Sequence, residues 1–376
     1  MILKRPQHGG NLNWAATIAG CPISLLTDFS ASINPLGPPQ SAITAIANSI
    51  SQLTAYPDPE YTQLRSLLAE YHGIKPDYVL PGNGSAELLT WAGRELAQQN
   101  VTYLITPAFS DYKRALKTFN GKISPCPLPL NSCKGVSRCK GGSRCKGGSR
   151  TAPTLDLPIP LSPQSPQAGL LLNNPHNPTG KLWTKEEILP YLEQFALVVI
   201  DEAFMDFLPP DQEQSLIGLI ADYPNLVILR SLTKFYSLPG LRIGYAIAHP
   251  ERLQRWQQWR DPWSVNTLAA AAAEAVIKDR EFQQHTWNWL TSARSQLFDQ
   301  LAAISGLQPL PGAANFLLVE TEMSATQLQT KLLKESQIVI RDCLSFSELG
   351  DRYFRIAVRL QEDNERLVKA IAATVE

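Results

Sequence analysis

The chain lacks both a long apolar segment and an excess of charge. Its 376 residues include 34 basic and 34 acidic side chains, so nothing global favours nucleic acid or a membrane surface. No run approaches the roughly 20 apolar residues of a membrane-spanning helix. The first residues, Met1-Ile-Leu-Lys-Arg-Pro6, contain no apolar signal core. We therefore expect a cytoplasmic protein with neither a membrane nor a nucleic-acid partner.

Cysteine is scarce, and the six cysteines do not suggest a secreted disulfide framework. Three of them lie in residues 133–150, where a six-residue Cys-Lys-Gly unit occurs three times. A Cys-x5-Cys spacing without a nearby histidine is weak support for a metal site, and we predict none. A segment rich in Gly, Ser, Lys and Arg cannot bury a core, so the composition predicts a flexible insert without a catalytic role.

The apolar pattern predicts two structural units. Between about residues 80 and 260, short and continuously apolar runs alternate with helical stretches, which is typical of a mostly parallel sheet covered by helices. The clearest runs are 101–105, 169–172, 196–200 and 226–229. After residue 262, a long helical region (267 to about 304) precedes three strands and two helices. We predict an N-terminal arm and lid (1–40), a large α/β domain (41–262) and a small α+β domain (263–376).

Polar clusters follow the four runs, at 107–109, 173–180, 201–204 and 231–234. Ligands of open parallel sheets bind beyond the carboxyl ends of the strands, so these clusters predict one site. Lys234 follows a strand of buried type, where an amine has a lowered pKa and can form a Schiff base with a carbonyl. Arg242 could neutralise a phosphate. A lysine and a phosphate-binding arginine are what pyridoxal 5′-phosphate requires.

Each further candidate has a structural alternative when it is considered alone. Asp201 ends a buried strand and needs a cationic partner, either a pyridine nitrogen or a salt bridge. The glycine-rich turn at 82–87 opens a helix that suits phosphate, although it is also an ordinary capped turn. Phe109 could stack on a ring or fill the core. Asn177 could bind a ring hydroxyl or a carboxylate, or be a turn residue.

Together, these motifs resemble the fold-type I pyridoxal-phosphate enzymes of the aminotransferase superfamily. The similarity covers the whole chain except the repeat, and its most specific parts are Asn-Pro-His-Asn-Pro-Thr-Gly (174–180) and Ser-Leu-Thr-Lys (231–234). It implies Lys234 as the Schiff-base lysine, Asp201 at the pyridine nitrogen, Phe109 stacked on the ring and Asn177 near its hydroxyl. The implied phosphate ligands are Gly84, Ser85, Ala86, Ser231 and Arg242. Tyr56 matches a tyrosine that reaches the partner subunit's cofactor phosphate, which implies a homodimer.

Phe204 departs from the transaminase pattern. Histidinol-phosphate aminotransferases, which are similar to this chain, carry a tyrosine at this position, whereas phenylalanine cannot donate a hydrogen bond to the ring oxygen. The segments 8–11, 28–37, 201–204 and 262–266 instead look like those of threonine-phosphate decarboxylases. This resemblance implies decarboxylation of L-threonine O-3-phosphate to (R)-1-amino-2-propanol O-2-phosphate in cobalamin biosynthesis. The alternatives are histidinol-phosphate transamination or a related class I/II aminotransferase activity.

The same resemblance implies the substrate-binding residues. Arg355 would bind the α-carboxylate, Arg341 and His8 would bind the phosphate, and Asn34 and Asn177 would also contact the substrate. Arginine suits bidentate recognition of anions, although both arginines could instead be strand-surface residues. A regulatory protein, in which an aminotransferase-like domain follows a DNA-binding module, is a further functional class to consider. The zero net charge and the early start of the fold argue against it.

We expect deletion of residues 133–150 to leave activity nearly intact, because the repeat has no residue type that the predicted site needs. The measurement is the turnover of the deletion variant beside that of the full chain. A large loss of turnover would contradict the interpretation of the repeat as a passive insert.

Overall fold

The computed structural model describes residues 5–129, 157–160 and 167–375. The repeat at 133–150, with its predicted flexibility, lies outside these residues. The described strands are β1 (Thr27–Asp28), β2 (Val79–Gly82), β3 (Val101–Thr106), β4 (Ile123–Pro127), β5 (Ala168–Asn173), β6 (Leu197–Asp201), β7 (Leu226–Ser231), β8 (Gly244–Ala248), β9 (Leu307–Pro309), β10 (Phe316–Thr321), β11 (Ile338–Val339), β12 (Arg341–Asp342) and β13 (Tyr353–Ala357). The described α-helices are α1 (Leu12–Ala19), α2 (Gln40–Ser49), α3 (Thr62–His72), α4 (Ser85–Leu96), α5 (Ser110–Thr118), α6 (Lys185–Gln194), α7 (Leu232–Phe235), α8 (Pro250–Trp259), α9 (Thr267–Lys278), α10 (Arg280–Ala302), α11 (Ala325–Ser336) and α12 (Gln361–Val375).

A seven-stranded sheet in the order β2-β8-β7-β6-β5-β3-β4 forms the centre of the large unit. All of its strands run in the same direction except β8, which is antiparallel to both neighbours. The four predicted apolar runs coincide with β3, β5, β6 and β7. The expectation of a mostly parallel sheet covered by helices is therefore confirmed.

The apolar strands bury side chains on both faces of this sheet. Leu170, Val198 and Ile228 belong to the core cluster on one face. Leu171 and Val199, each one residue further along its strand, belong to the cluster on the other face. Because successive side chains of a strand point to opposite faces, a continuous apolar run is what such a doubly covered strand requires.

Polar caps determine where several helices begin. Thr184 Oγ1 accepts a hydrogen bond from the Glu187 amide at 3.2 Å, and the Glu187 carboxylate accepts one from the Thr184 amide at 2.7 Å, so the two residues form a capping box at the start of α6. Asp279 caps α10 by accepting from the Phe282 amide at 3.0 Å. The predicted continuous helical region is therefore two helices, α9 and α10.

A four-stranded sheet in the order β12-β13-β10-β9 follows residue 262, and its pairs are antiparallel. The N-terminal residues contact elements that surround it. Strand β1 pairs in parallel with β11, and Ala15 of α1 packs against Leu333 and Val339. The domain boundaries at 40 and 262 remain a prediction. Among the described residues, no helix combines the length and apolar character needed to cross a bilayer.

Candidate active site

A cavity of about 630 Å³ lies at the carboxyl ends of the central strands. Its walls come from both sheets and from the N-terminal residues. Most of the side chains predicted from the sequence line it: His8, Ser85, Ala86, Phe109, Asn177, Asp201, Ser231, Lys234, Arg242, Arg341 and Arg355. The structure therefore brings together residues from positions 8 to 355 of the chain.

Lys234 lies in the short helix α7, which begins directly after β7. Ser231 caps this helix, and the Lys234 amine donates a hydrogen bond to Thr233 Oγ1 at 2.8 Å. Burial lowers the pKa of Lys234 to about 8; Arg242 adds to the decrease, whereas Asp201 opposes it. A larger fraction of this amine is consequently neutral and nucleophilic near neutral pH than for an ordinary lysine.

Asp201 is buried at the end of β6. One carboxylate oxygen accepts a hydrogen bond from the Tyr112 hydroxyl at 2.8 Å, and the other accepts from the Ala203 amide at 3.0 Å. Burial raises the pKa of Asp201, while the Tyr112 and Ala203 hydrogen bonds lower it. The carboxylate is thus oriented by two donors and faces the cavity that holds Lys234.

The helix α4 begins at the cavity and has features of an anion cradle. Its N-cap, Gly84, has a φ of 75° and offers no side chain to the first amides. A Cβ atom at Gly84 would lie 2.7 Å from a guanidinium nitrogen of Arg242. A Cβ atom at Gly244 would lie 2.7 Å from the Ser85 amide nitrogen. The two glycines therefore allow an arginine and a helix N-terminus to approach the same small volume.

Asn177 and Arg355 form one polar wall of the cavity. The Asn177 amide is held by Asn173 Oδ1 at 2.6 Å, and the Asn177 side-chain oxygen accepts from Arg355 at 2.5 Å. Arg355 also donates to the Ser30 carbonyl at 3.2 Å, while its Nε has no hydrogen-bond partner among the residues that the structure describes. Burial lowers the pKa of Arg355 to about 10. Its guanidinium lies 5.0 Å from the centre of the Phe316 ring.

Arg341 lies directly opposite Arg355, because β12 and β13 pair these two residues. Both arginines line the cavity, and neither forms an ion pair with a carboxylate of the described residues. Arg341 donates instead to the Pro6 carbonyl at 3.1 Å, to the Gln7 carbonyl and to Ser345 Oγ at 2.6 Å. Like charges opposite each other in a sheet are unfavourable, so this wall favours a ligand with negative charge.

The N-terminal strap, residues 5–10, passes over this wall. Gln7 and His8 line the cavity, and the His8 ring centre lies 5.5 Å from that of Phe109. Phe109 is partly buried and meets the Tyr112 ring edge-on at 5.7 Å. The strap thus contributes the wall of the cavity opposite the sheet.

Asn34 does not line the cavity. Its side-chain amide donates to the Phe235 carbonyl at 2.8 Å and to Thr286 at 2.9 Å, and its main-chain amide donates to the Lys234 carbonyl at 3.0 Å. Asn34 therefore supports the Lys234 segment in this structure, and its role as a substrate ligand stays a prediction. Tyr56 does not line the cavity of its own chain either; it is 78% exposed and stacks on Trp263.

Several cavity residues were missed by the sequence analysis. Tyr112 follows Phe109 by three residues, and this spacing could have placed both at one face of a helix. Asn173 holds the predicted Asn177 but is separated from it by two turn residues and a proline. Ser32 is buried at the cavity with an unpartnered hydroxyl. No local pattern distinguishes this serine from others in the chain.

Comparison with known proteins places these features in a family. The model of "Aminotransferase class I and II" matches residues 25–371. The chain is 35% identical to the threonine-phosphate decarboxylase of Salmonella typhimurium, over 99% of this chain and 97% of that protein. It is 30% identical to the adenosylcobalamin biosynthesis bifunctional protein CobDQ of Leptospira interrogans, over 98% of this chain and 41% of that protein. The solved histidinol-phosphate aminotransferase of Clostridium acetobutylicum is similar with a TM-score of 0.77 at 27% identity, over 92% and 98% of the two chains.

We expect the Lys234 amine of the ligand-free protein to react with an amine-directed acylating reagent with a midpoint near pH 8. The reason is that the protonated amine, which predominates below this pH, is not nucleophilic. Exposed lysines ordinarily titrate at about pH 10.4. The measurement is the pH dependence of Lys234 labelling by peptide mass spectrometry, with the other lysine peptides of the same digest as comparison. A Lys234 midpoint above pH 10 would contradict the lowered pKa.

Proposed function

Because the chain belongs to the class I and II aminotransferase family, we propose that it is a pyridoxal-phosphate-dependent carboxy-lyase. Its proposed substrate is L-threonine O-3-phosphate, and its products are (R)-1-amino-2-propanol O-2-phosphate and CO2. The similarity to a threonine-phosphate decarboxylase along nearly the whole of both chains supports this choice. The similarity to a protein of adenosylcobalamin biosynthesis supports a role in making cobalamin.

The observation that carries the proposal is the pair of opposed arginines. Arg341 and Arg355 present two cations to one cavity without a carboxylate partner among the described residues. A substrate with a carboxylate and a phosphate satisfies both. In histidinol phosphate, a phosphate ester of a primary alcohol replaces the amino-acid carboxylate, so this molecule has one anionic group and would leave one buried guanidinium without an anion. An unpaired buried charge is costly, and the wall therefore favours the doubly anionic substrate.

The residues of the cavity fit the cofactor. In this proposal, Lys234 would bind its aldehyde carbon, Asp201 would pair with its pyridine nitrogen and Phe109 would stack on its ring. The cofactor phosphate would occupy the cradle where added Cβ atoms at Gly84 and Gly244 would crowd Arg242 and the α4 amides. Its other ligands would be the Ser85 and Ala86 amides and the Ser231 hydroxyl. Asn177 would lie near the ring hydroxyl, since Phe204 has no donor.

When bound, pyridoxal phosphate supplies an electron sink for the pair left on Cα as a bond breaks. The protein selects that bond by fixing its direction. Arg355, steadied by Asn177, would hold the carboxylate, and Arg341 with His8 would hold the phosphate. The bond from Cα to the carboxyl carbon breaks, CO2 departs and a proton is added to Cα. The Lys234 amine or a water molecule would deliver this proton.

We expect the full chain with pyridoxal phosphate to release one CO2 from each threonine phosphate consumed, without a keto acid. The measurement is trapping of labelled CO2 together with mass analysis of the amino-alcohol phosphate. Turnover that depends on 2-oxoglutarate and histidinol phosphate would replace the proposal with the aminotransferase alternative.

A matched pair of arginine variants controls this experiment. Arg355→Gln removes the proposed carboxylate ligand and should lower kcat/KM about a hundredfold, the effect of a lost charge-assisted contact to a buried anion. Arg359→Gln is the control variant. Arg359 lies four residues further on, and its guanidinium pairs with Asp363 at 2.9 Å instead of lining the cavity. This variant should change kcat/KM by about twofold at most.

We also propose a homodimer in which Tyr56 reaches the cofactor phosphate of the partner subunit. Exposed apolar side chains precede this tyrosine in the sequence, and Trp263, also exposed, stacks on its ring. Burial of this set would favour association: Ile43, Ile50, Leu53, Tyr56 and Trp263. Tyr56→Phe should preserve a two-chain sedimentation mass but weaken cofactor binding about tenfold, since one hydroxyl contact to a phosphate is lost. A chain that sediments as a monomer, or unchanged cofactor affinity in the variant, would contradict this arrangement.

A further inference from the structure

The N-terminal strap is fixed at its first residue by Arg5. The Arg5 guanidinium donates to Asp342 at 2.6 Å, to Gln329 at 2.5 Å and to Thr330 at 3.3 Å. Asp342 belongs to β12, and the other two acceptors belong to α11. Three side-chain partners on two elements define the position of this arginine more closely than a single surface ion pair would.

The strap is held on both sides of β12. Arg341 lines the cavity and donates to the carbonyls of Pro6 and Gln7, whereas its neighbour Asp342 does not line the cavity and accepts from Arg5. Adjacent residues of a strand point in opposite directions, so these two contacts clamp the strap from two directions. The carboxylate nearest to Arg341 in the chain is thereby paired with Arg5.

The strap is also held at its other end. The Gly10 amide donates to Ser30 Oγ at 2.8 Å, and the Ser30 hydroxyl donates to Asp28 at 2.6 Å. A Cβ atom at Gly9 would collide with the Ser30 carbonyl, so the strap lies directly against this segment. His8 therefore lies between two fixed points of the strap, the Arg5 contacts on one side and the contact of Gly10 with Ser30 on the other.

We propose that Arg5 is a positioning residue, which fixes the strap so that His8 and Arg341 meet the substrate phosphate in one geometry. The inference rests on the proposed function, because it names the phosphate monoester as the group that the strap covers. Without Arg5, the strap would depend on Arg341 at this end, and the same guanidinium would have to hold both the strap and the phosphate. Phosphate affinity would then fall, while the chemistry at Cα would be unaffected.

The test compares Arg5→Gln with the unchanged chain, both full-length and loaded with pyridoxal phosphate. Hydrogen exchange of the amides in residues 7–12 should become about tenfold faster, because the first clamp is lost. The KM for threonine phosphate should rise about tenfold, with kcat changed by about twofold at most, as expected for a lost contact that affects binding alone. Equal exchange in the variant and the unchanged chain would overturn the proposal, as would a loss confined to kcat.

Arg366→Gln is the matched control. Arg366 also ties the N-terminal residues to α11, through Thr27 at 2.9 Å and the Ser336 carbonyl, but it contacts no residue of the strap. Its substitution should leave both the amide exchange of residues 7–12 and the KM unchanged. An effect equal to that of Arg5→Gln would assign the result to general loosening of this region and would overturn the specific role of Arg5.

The double variant Arg5→Gln/Asp342→Asn separates tethering from simple charge compensation. If Arg5 acted by neutralising Asp342 beside Arg341, removal of both charges would restore the KM. Tethering predicts that the double variant keeps the raised KM and the fast exchange, so restoration would overturn the proposal. The exchange measurement needs no turnover, and protection of the strap by inorganic phosphate can be followed in the same samples. A failed decarboxylase assignment is thereby distinguished from a failed assignment of Arg5.

Discussion

The parallel direction of β5, β6 and β7 is the constraint on which the candidate site depends. Parallel strands end at one edge of their sheet, and the register places Asn173 opposite Asp201. Glu202, which follows Asp201, and Arg230, which precedes Ser231, form a buried ion pair at 2.9 Å. Because side chains alternate, Asp201 and Ser231 then face the cavity. Strand order and alternation together position the proposed cofactor ligands before any loop conformation is considered.

Several ionisable groups of the site are partly or fully buried, and nearby opposite charges do not fully offset the cost of their burial. Burial lowers the pKa of Lys234 and of Arg355 and raises that of Asp201, so each ionised form is less stable here than in water. A ligand with a carboxylate, a phosphate and a cationic ring would reverse these three penalties at once. The energetic cost of the ligand-free cavity is thus a physical basis for selectivity toward such ligands.

Local patterns predicted the strands and the residues at their ends, because both depend on neighbours in the sequence. Long-range features were not predictable in this way. Arg5 meets Asp342 across 337 positions, and nothing near either residue indicates the contact. Asn34 was predicted as a ligand from the resemblance of its segment to a family, but a resemblance does not show that its side chain bonds to Phe235 and Thr286. The break at Asp279 was missed because the helical periodicity continues on both sides of a single capping residue.

Phe204 lies near Arg355, the proposed carboxylate ligand, and therefore bears on which reaction the site favours. Its ring meets Phe316 edge-on at 5.0 Å, and the face of Phe316 lies 5.0 Å from the Arg355 guanidinium. A tyrosine at 204 would bring a hydroxyl into this cavity, whereas phenylalanine adds to an apolar surface beside Arg355. A carboxylate bound there would have Arg355 and Asn177 as partners but little other solvation. Loss of CO2 removes the charge that this surface solvates poorly, whereas transamination of an amino acid retains it. The opposed arginines therefore favour binding of the carboxylate, and the aromatic wall beside them favours its loss as CO2.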